Sequence, residues 1–249
     1  MTYKEIYDNL AADSEKINIK KNYLLPKAIR EFKKETVFPA WRWYEYKIPA
    51  TMNTYIIFFY VESRNFIDKP ECDCFCVHFE DKKRFVIKVD AIGYKQEGNP
   101  LSLIRLIRVY TSHFFDRYNE RLLKDNSIGS TDVACRYFSR NKKEIPIEIN
   151  EEINKNLKKH GESANYGSKI RDGFCFMRSA VQNVSNRGGD KNDRLEAVMF
   201  MYTTFMNEAG MEVSQLSAIG RKVNDEWSRC IKLLQEEASN GEIELTLGT

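Results

Sequence analysis

The chain has 249 residues, 42% of them hydrophobic, 30% charged and 12% aromatic, with a formal net charge of +3. That length can bury a sizeable core as one large domain or two small ones, and the aromatic share excludes a disordered chain. The longest apolar run, Tyr55 to Val61, falls far short of the roughly 18 residues that span a bilayer. The N-terminal Met-Thr-Tyr-Lys-Glu-Ile-Tyr-Asp carries no signal-peptide core, so the expected location is cytoplasmic, with no membrane partner. The six cysteines are then expected to be reduced thiols.

In chain order, Ile6, Leu10 and Ile17 among many charges predict one helix over residues 3–21. Pro26, tolerated in a first helical turn, starts a second that runs to about Lys34. Residues 36–52, with Trp41, Trp43, Tyr44 and Tyr46 between Pro39 and Pro49, read as an irregular connection packed on the core. Thr54 to Glu62, Cys72 to Phe79 and Phe85 to Val89 read as strands, rich in β-branched and aromatic residues. Gly98-Asn-Pro breaks the chain, and Leu103 to Tyr110 reads as a fourth strand, although its spacing also permits a helix. The first half is therefore expected to be an antiparallel meander.

Two helices follow. One starts from Ser112 as N-cap and stops around Asn126 to Gly129; the other is capped by Ser130, Thr131 or Asp132 and ends near Asn141. Residues 142–170 are polar and read as a loop or a weak helix around 150–159, the best place for a linker. Phe174 to Met177 and Ala180 to Val184 predict a hairpin, and Arg187-Gly-Gly-Asp-Lys-Asn a turn. Leu195 to Phe205 alternates like a strand, but its methionines allow a helix. Leu216, Ile219, Val223, Trp227, Cys230, Leu233 and Leu234 are spaced as on a helix from Val213 to Ala238. The expected fold class is α+β: an antiparallel sheet packed with helices, plus a long C-terminal helix. It divides into an N-terminal helical and aromatic segment (1–52), an α+β core (53–210) and the C-terminal helix (211–249).

The chemistry-bearing stretch is Ser-His-Phe-Phe-Asp-Arg-Tyr-Asn-Glu-Arg-Leu-Leu-Lys, residues 112–124. At about 100° per residue, His113, Arg117 and Arg121 fall on one narrow cationic stripe, and Phe114, Tyr118 and Leu122 on a neighbouring apolar one. One edge can anchor the helix while the other offers an imidazole and two guanidiniums. Near a helix start, free N–H groups attract phosphate and disfavour imidazolium, which suits His113 to proton transfer, with Arg117 and Arg121 clamping the developing charge. The remaining acid or base is open among Tyr110, His78 and Tyr202. Asp116 and Glu120 offer the plainer alternative, ion pairs lacing a solvated helix. Residues 101–143 hold nine basic residues against four acids. Arg105, Arg108, Lys124, Arg136 and Arg140 in that segment are candidate phosphate contacts.

His-x-x-x-Arg-x-x-x-Arg at a helix start, followed by a second short helix and later strands, resembles the RelE-like, BrnT-type ribonuclease toxin domains. The resemblance spans roughly residues 111–205, with His113, Arg117 and Arg121 as its specific positions. It implies a metal-independent endoribonuclease fold of the kind paired with a protein antitoxin in mobile elements. The leading expectation is thus an RNA-directed protein of RelE-like type. The alternative is a non-catalytic interaction or structural protein, with the C-terminal helix available for assembly.

Cys72-Asp-Cys-Phe-Cys-Val-His places Cys72, Cys74, Cys76 and His78 on one strand face. Side chains two apart on a strand lie about 6.5–7 Å apart, too far for one zinc, so packing is the expected role. No metal and no cofactor are expected. Tyr94, Trp41 and Trp43 can stack on bases but read first as core, and His160 as a surface residue.

Overall fold

The computed structural model describes residues 1–94, 102–154, 164–184 and 194–239. The expected features at Gly98-Asn-Pro, at His160 and at Arg187 to Asn192, and the latter part of the weak helix around 150–159, lie outside the described residues.

The fold is α+β, as expected. Two helices, α1 (Tyr3–Ala11) and α2 (Ser14–Phe32), precede five strands: β1 (Ala40–Lys47), β2 (Thr54–Val61), β3 (Glu71–Glu80), β4 (Lys83–Tyr94) and β5 (Ser102–Thr111). Then come α3 (Ser112–Tyr118), which continues as a π-helical turn (Asn119–Leu123), and α4 (Ser130–Arg140). Four more strands follow, β6 (Glu144–Glu148), β7 (Tyr166–Ile170), β8 (Gly173–Val184) and β9 (Arg194–Met206), and the long helix α5 (Val213–Ser239) closes the described chain. Among the described residues, the nine strands form one sheet in the order β1-β2-β3-β4-β5-β9-β8-β7-β6. Each half is an antiparallel meander; the halves meet at the parallel pair β5–β9, from Arg105↔Ala197 to Tyr110↔Tyr202.

The helices cover both faces. Even-numbered β2 residues Ile56 and Phe58 point with Phe75, Leu106, Tyr110 and Val198 into a core sealed by α3 and α4. Odd-numbered Tyr55, Ile57 and Phe59 meet Leu10, Ile17, Leu24, Ala28 and Phe32 of α1 and α2 on the opposite face. At the far end of that face, Phe174 and Phe176 of β8 pack against Ala218 and Ile219 of α5. Burial on both faces explains why β2 reads as a continuous apolar run rather than an alternating one.

Four expectations need correction. The stretch 142–170, read as a polar loop or linker, contributes the strands β6 and β7, which pair antiparallel from Glu144↔Ile170 to Glu148↔Tyr166 because Ile147 and Ile170 are buried in the core. The N-terminal helices break at Ala12 and Asp13, not before Pro26, which lies inside α2. The carbonyl that Pro26 deprives of a partner belongs to Asn22; both residues are exposed, so water can replace the lost bond. The break is held by Asp13, fully buried, whose Oδ2 accepts from Thr51 Oγ1 (2.8 Å), Asn53 Nδ2 (2.8 Å) and the Tyr55 hydroxyl (3.0 Å). The aromatic stretch read as an irregular connection is the edge strand β1. The pair of strands read as a hairpin at 174–184 is the single strand β8, irregular in its pairing between Phe176 and Met177 and between Gln182 and Asn183.

Among the described residues, no helix is long and apolar enough to cross a membrane. In α5, a Cβ built on Gly220 meets no atom within 4 Å. Glycine inside a helix costs about 0.5–1 kcal/mol relative to alanine, so Gly220→Ala is expected to raise stability by about that amount in urea unfolding.

Candidate nucleic-acid interface

The α3 stripe is anchored as its sequence predicts. Phe114 and Tyr118 are fully buried, and Leu122 packs against the same core. The cap, however, is Thr111, whose Oγ1 accepts from the Phe114 N–H at 3.2 Å. Ser112 is already helical and donates to the Arg84 carbonyl at 2.8 Å. His113 is exposed in the second helical position. Arg117 donates to Glu120 Oε2 at 2.5 Å. The π turn changes the phase of the helix beyond Tyr118, and Arg121 Nη1 donates to the Phe205 carbonyl. The Glu120 carboxyl is held below its ordinary value, first by the hydrogen bond and charge of Arg117 and more weakly by Arg121 and His113. The nearest cation of the stripe, Arg117, is thus met by a carboxylate of its own helix, while Arg121 is directed to β9.

The three candidate proton-transfer partners divide. Tyr110 and Tyr202 are buried, with stacked rings 4.1 Å apart, and burial pushes both phenols well above their ordinary value. His78 is exposed on β3, opposite Phe85 of β4.

The five candidate phosphate contacts do not converge on one surface. Arg105 and Arg108 lie three apart on β5 and so face opposite sides of the sheet. Arg105 pairs with Asp8 of α1 at 3.1 Å. Arg108, with its side chain 20% exposed, pairs with Glu144 at 3.1 Å and Asp90 at 3.4 Å. Arg136 reaches Asp125 at 3.5 Å and lies 5.0 Å over the Trp41 ring. Arg140 forks onto Asp172, at 2.9 Å from Nε and 2.7 Å from Nη2. Lys124 is exposed, in a left-handed backbone conformation that ends the π turn. Much of the local positive charge of residues 101–143 is therefore met by carboxylates brought in by the fold.

A second cationic surface emerges on α2. Residues 14–34 carry seven basic residues against two acids. Within α2, Lys16, Lys20, Tyr23, Lys27 and Arg30 follow one another at intervals of four, three, four and three. They occupy roughly 80° of arc and about 21 Å of axis. Lys16, Tyr23, Lys27 and Arg30 are exposed and Lys20 is half-buried, while Ile17, Leu24, Ala28 and Phe32 hold the opposite stripe in the core.

The edge strand β1 runs beside this stripe and adds rings to it. Lys20 Nζ lies 4.8 Å from the Tyr23 ring centroid and 5.3 Å from that of Tyr46. Lys27 Nζ lies 4.7 Å from that of Tyr44. Tyr44 is fixed by donating its hydroxyl to Glu31 Oε2 at 3.1 Å, and burial, then Glu31, raises its phenol to about 12. Placing a helix break at Pro26 cuts this stripe in two, which hides its regularity; the run of lysines at intervals of four and three was the signal available in the sequence. Trp43, on the other side of β1, donates its indole N–H to Asp132 Oδ1 at 3.0 Å, and Trp41 donates to Ser139 Oγ at 2.9 Å, so both anchor α4.

On β3, Cys76 is buried, Cys74 packs against the α1–α2 core and Cys72 is exposed; burial raises the Cys76 thiol to about 12. Among the described residues, no group of three or more His, Cys, Asp or Glu side chains is placed to hold a metal ion. Comparison with protein-family models, with curated proteins and with solved structures found no match.

Proposed function

We propose that this protein is a nucleic-acid-binding protein whose phosphate contacts come from the outer face of α2 beside the edge strand β1. The observation that carries this reading is the regular stripe Lys16, Lys20, Tyr23, Lys27, Arg30. A polyanion gains by releasing counterions along a regular row of cations, in which Lys27 alone pairs with a carboxylate among the described residues, Glu31 at 3.9 Å, whereas scattered, carboxylate-paired arginines offer it less. The unpaired thiols of Cys72, Cys74, Cys76, Cys135, Cys175 and Cys230 support a reducing compartment such as the cytoplasm.

Fluorescence anisotropy with labelled RNA and DNA oligonucleotides tests it. Affinity is expected to fall steeply with salt. Replacing Lys16, Lys20, Lys27 and Arg30 by alanine is expected to flatten the plot of log K against log salt by about 0.7–0.9 per cation removed. An unchanged slope would reject the α2 surface. In the same samples with EDTA, the RNA is expected to stay intact; degradation abolished by His113→Ala would return the α3 stripe to the lead.

A further inference from the structure

We infer that the α2–β1 surface takes a single strand, with an unstacked base laid on Tyr23, rather than a duplex. This rests on the phosphate-binding reading of that surface. Tyr23 is 74% exposed in the middle of the cationic stripe, and its helical neighbour Ile19 is 64% exposed. Two large apolar groups held in water among lysines gain nothing from a double helix, which presents phosphates and groove edges and keeps its base faces stacked inside. A single strand offers both chemistries at once, a charged backbone for the lysines and a free base face for the ring.

The ring geometry suits that use. Tyr44 is fixed, its hydroxyl bonded to Glu31 and its ring edge-on to Phe59 at 6.2 Å, and it holds Lys27 over its ring. Tyr23 is the outward ring: Lys20 lies over one of its faces and Lys27 over the Tyr44 ring, so a base would stack on the other face of Tyr23 with both lysines near its backbone phosphates. A membrane surface is the other polyanion a basic helix can meet. Inserting there needs a free apolar face, and the continuous apolar line of α2, Ile17, Leu24, Ala28 and Phe32, is buried in the protein's own core.

The test compares an oligothymidylate, an oligouridylate, a duplex of equal length and phosphatidylserine vesicles at one salt concentration. The strands are expected to bind at least about 10-fold tighter than the duplex, and Tyr23→Ala to weaken the strands by about 10-fold while leaving duplex affinity and the salt slope unchanged. Tyr23→Phe, which keeps the ring, is expected to behave as the unaltered protein. Both variants sit at an exposed position, and a circular dichroism melt confirms that they fold. Equal affinity for duplex and strand, or a Tyr23→Ala protein that binds strands normally, overturns the single-strand inference and leaves phosphate binding standing. Binding to vesicles alone, or to no nucleic acid at all, overturns the proposed function as well.

Discussion

Asp172→Ala is expected to lower stability by about 3–5 kcal/mol, because it strands a bound guanidinium and two polar side chains around the hole it leaves. Asp172 lies in the β7–β8 turn with its side chain only 4% exposed. Its Oδ2 accepts from the Tyr118 hydroxyl at 2.6 Å, from Arg140 Nε and from Asn141 Nδ2, both at 2.9 Å. Its own N–H donates to Asn141 Oδ1 at 3.1 Å. One carboxylate therefore joins α3, the end of α4 and the second meander. The measurement is a urea or thermal melt, in which the loss corresponds to a fall in Tm on the order of 10 °C.

The same group gives a pH signature. Burial alone would raise the Asp172 carboxyl, but hydrogen bonds from Arg140, Tyr118 and Asn141, with the charge of Arg140, bring it below its ordinary value of 3.8. A carboxyl depressed in the folded state adds stability in full above its unfolded value. That contribution is lost as the pH falls from about 4 through the lower folded value. Asp172→Asn is expected to lower stability at neutral pH and to flatten the acid limb of the stability curve below about pH 4. An acid limb identical to that of the unaltered protein would show that another carboxylate controls it.

Glu144→Ala is expected to be the second large loss, about 3 kcal/mol. Glu144 opens β6 with its side chain 15% exposed and receives Arg108 at 3.1 Å. It also accepts the Tyr202 hydroxyl on Oε2 at 2.6 Å. Burial on its own would depress the Arg108 guanidinium; Glu144 foremost, then Tyr110, Tyr202 and Asp90, hold it above its ordinary value. Removing Glu144 takes from Arg108 the nearer of its two carboxylates among the described residues and from Tyr202 the acceptor of its hydroxyl. Glu144→Gln keeps an oxygen for Tyr202 and is expected to cost less. Arg108→Met combined with Glu144→Leu is expected to cost less than the sum of its single changes, since a buried pair removed together leaves no stranded charge. Additive losses would show that the two side chains do not act as a pair.

These two clusters also explain how far residue types could be read for function. Arg108 and Arg140 look like phosphate ligands when their neighbours in the sequence are all that is known, because guanidiniums serve polyanions and buried carboxylates equally well. Their partners, Glu144 and Asp172, come from the second meander, and nothing local announces them. The α3 stripe was legible in its anchoring half, where burial of Phe114 and Tyr118 follows from helical spacing. Its working half was less so: the acid that meets Arg117 is the nearby Glu120, and the π turn that redirects Arg121 to Phe205 has no counterpart in ideal helical phase.

Local chemistry was enough for the fold class and for most elements. Runs of β-branched and aromatic residues marked β2 to β5, a period of 3.6 marked α5, and the alternation along β9 was present in Val198, Phe200 and Tyr202. Those are short-range properties, written in adjacent residues. The parallel seam between β5 and β9, the edge position of β1 and the uninterrupted course of α2 through Pro26 depend on contacts between distant segments. Buried Asp13, held by Thr51, Asn53 and Tyr55, places α2 beside β1. Long-range packing therefore sets which charges meet carboxylates inside the molecule and which, along the outer face of α2, stay in water.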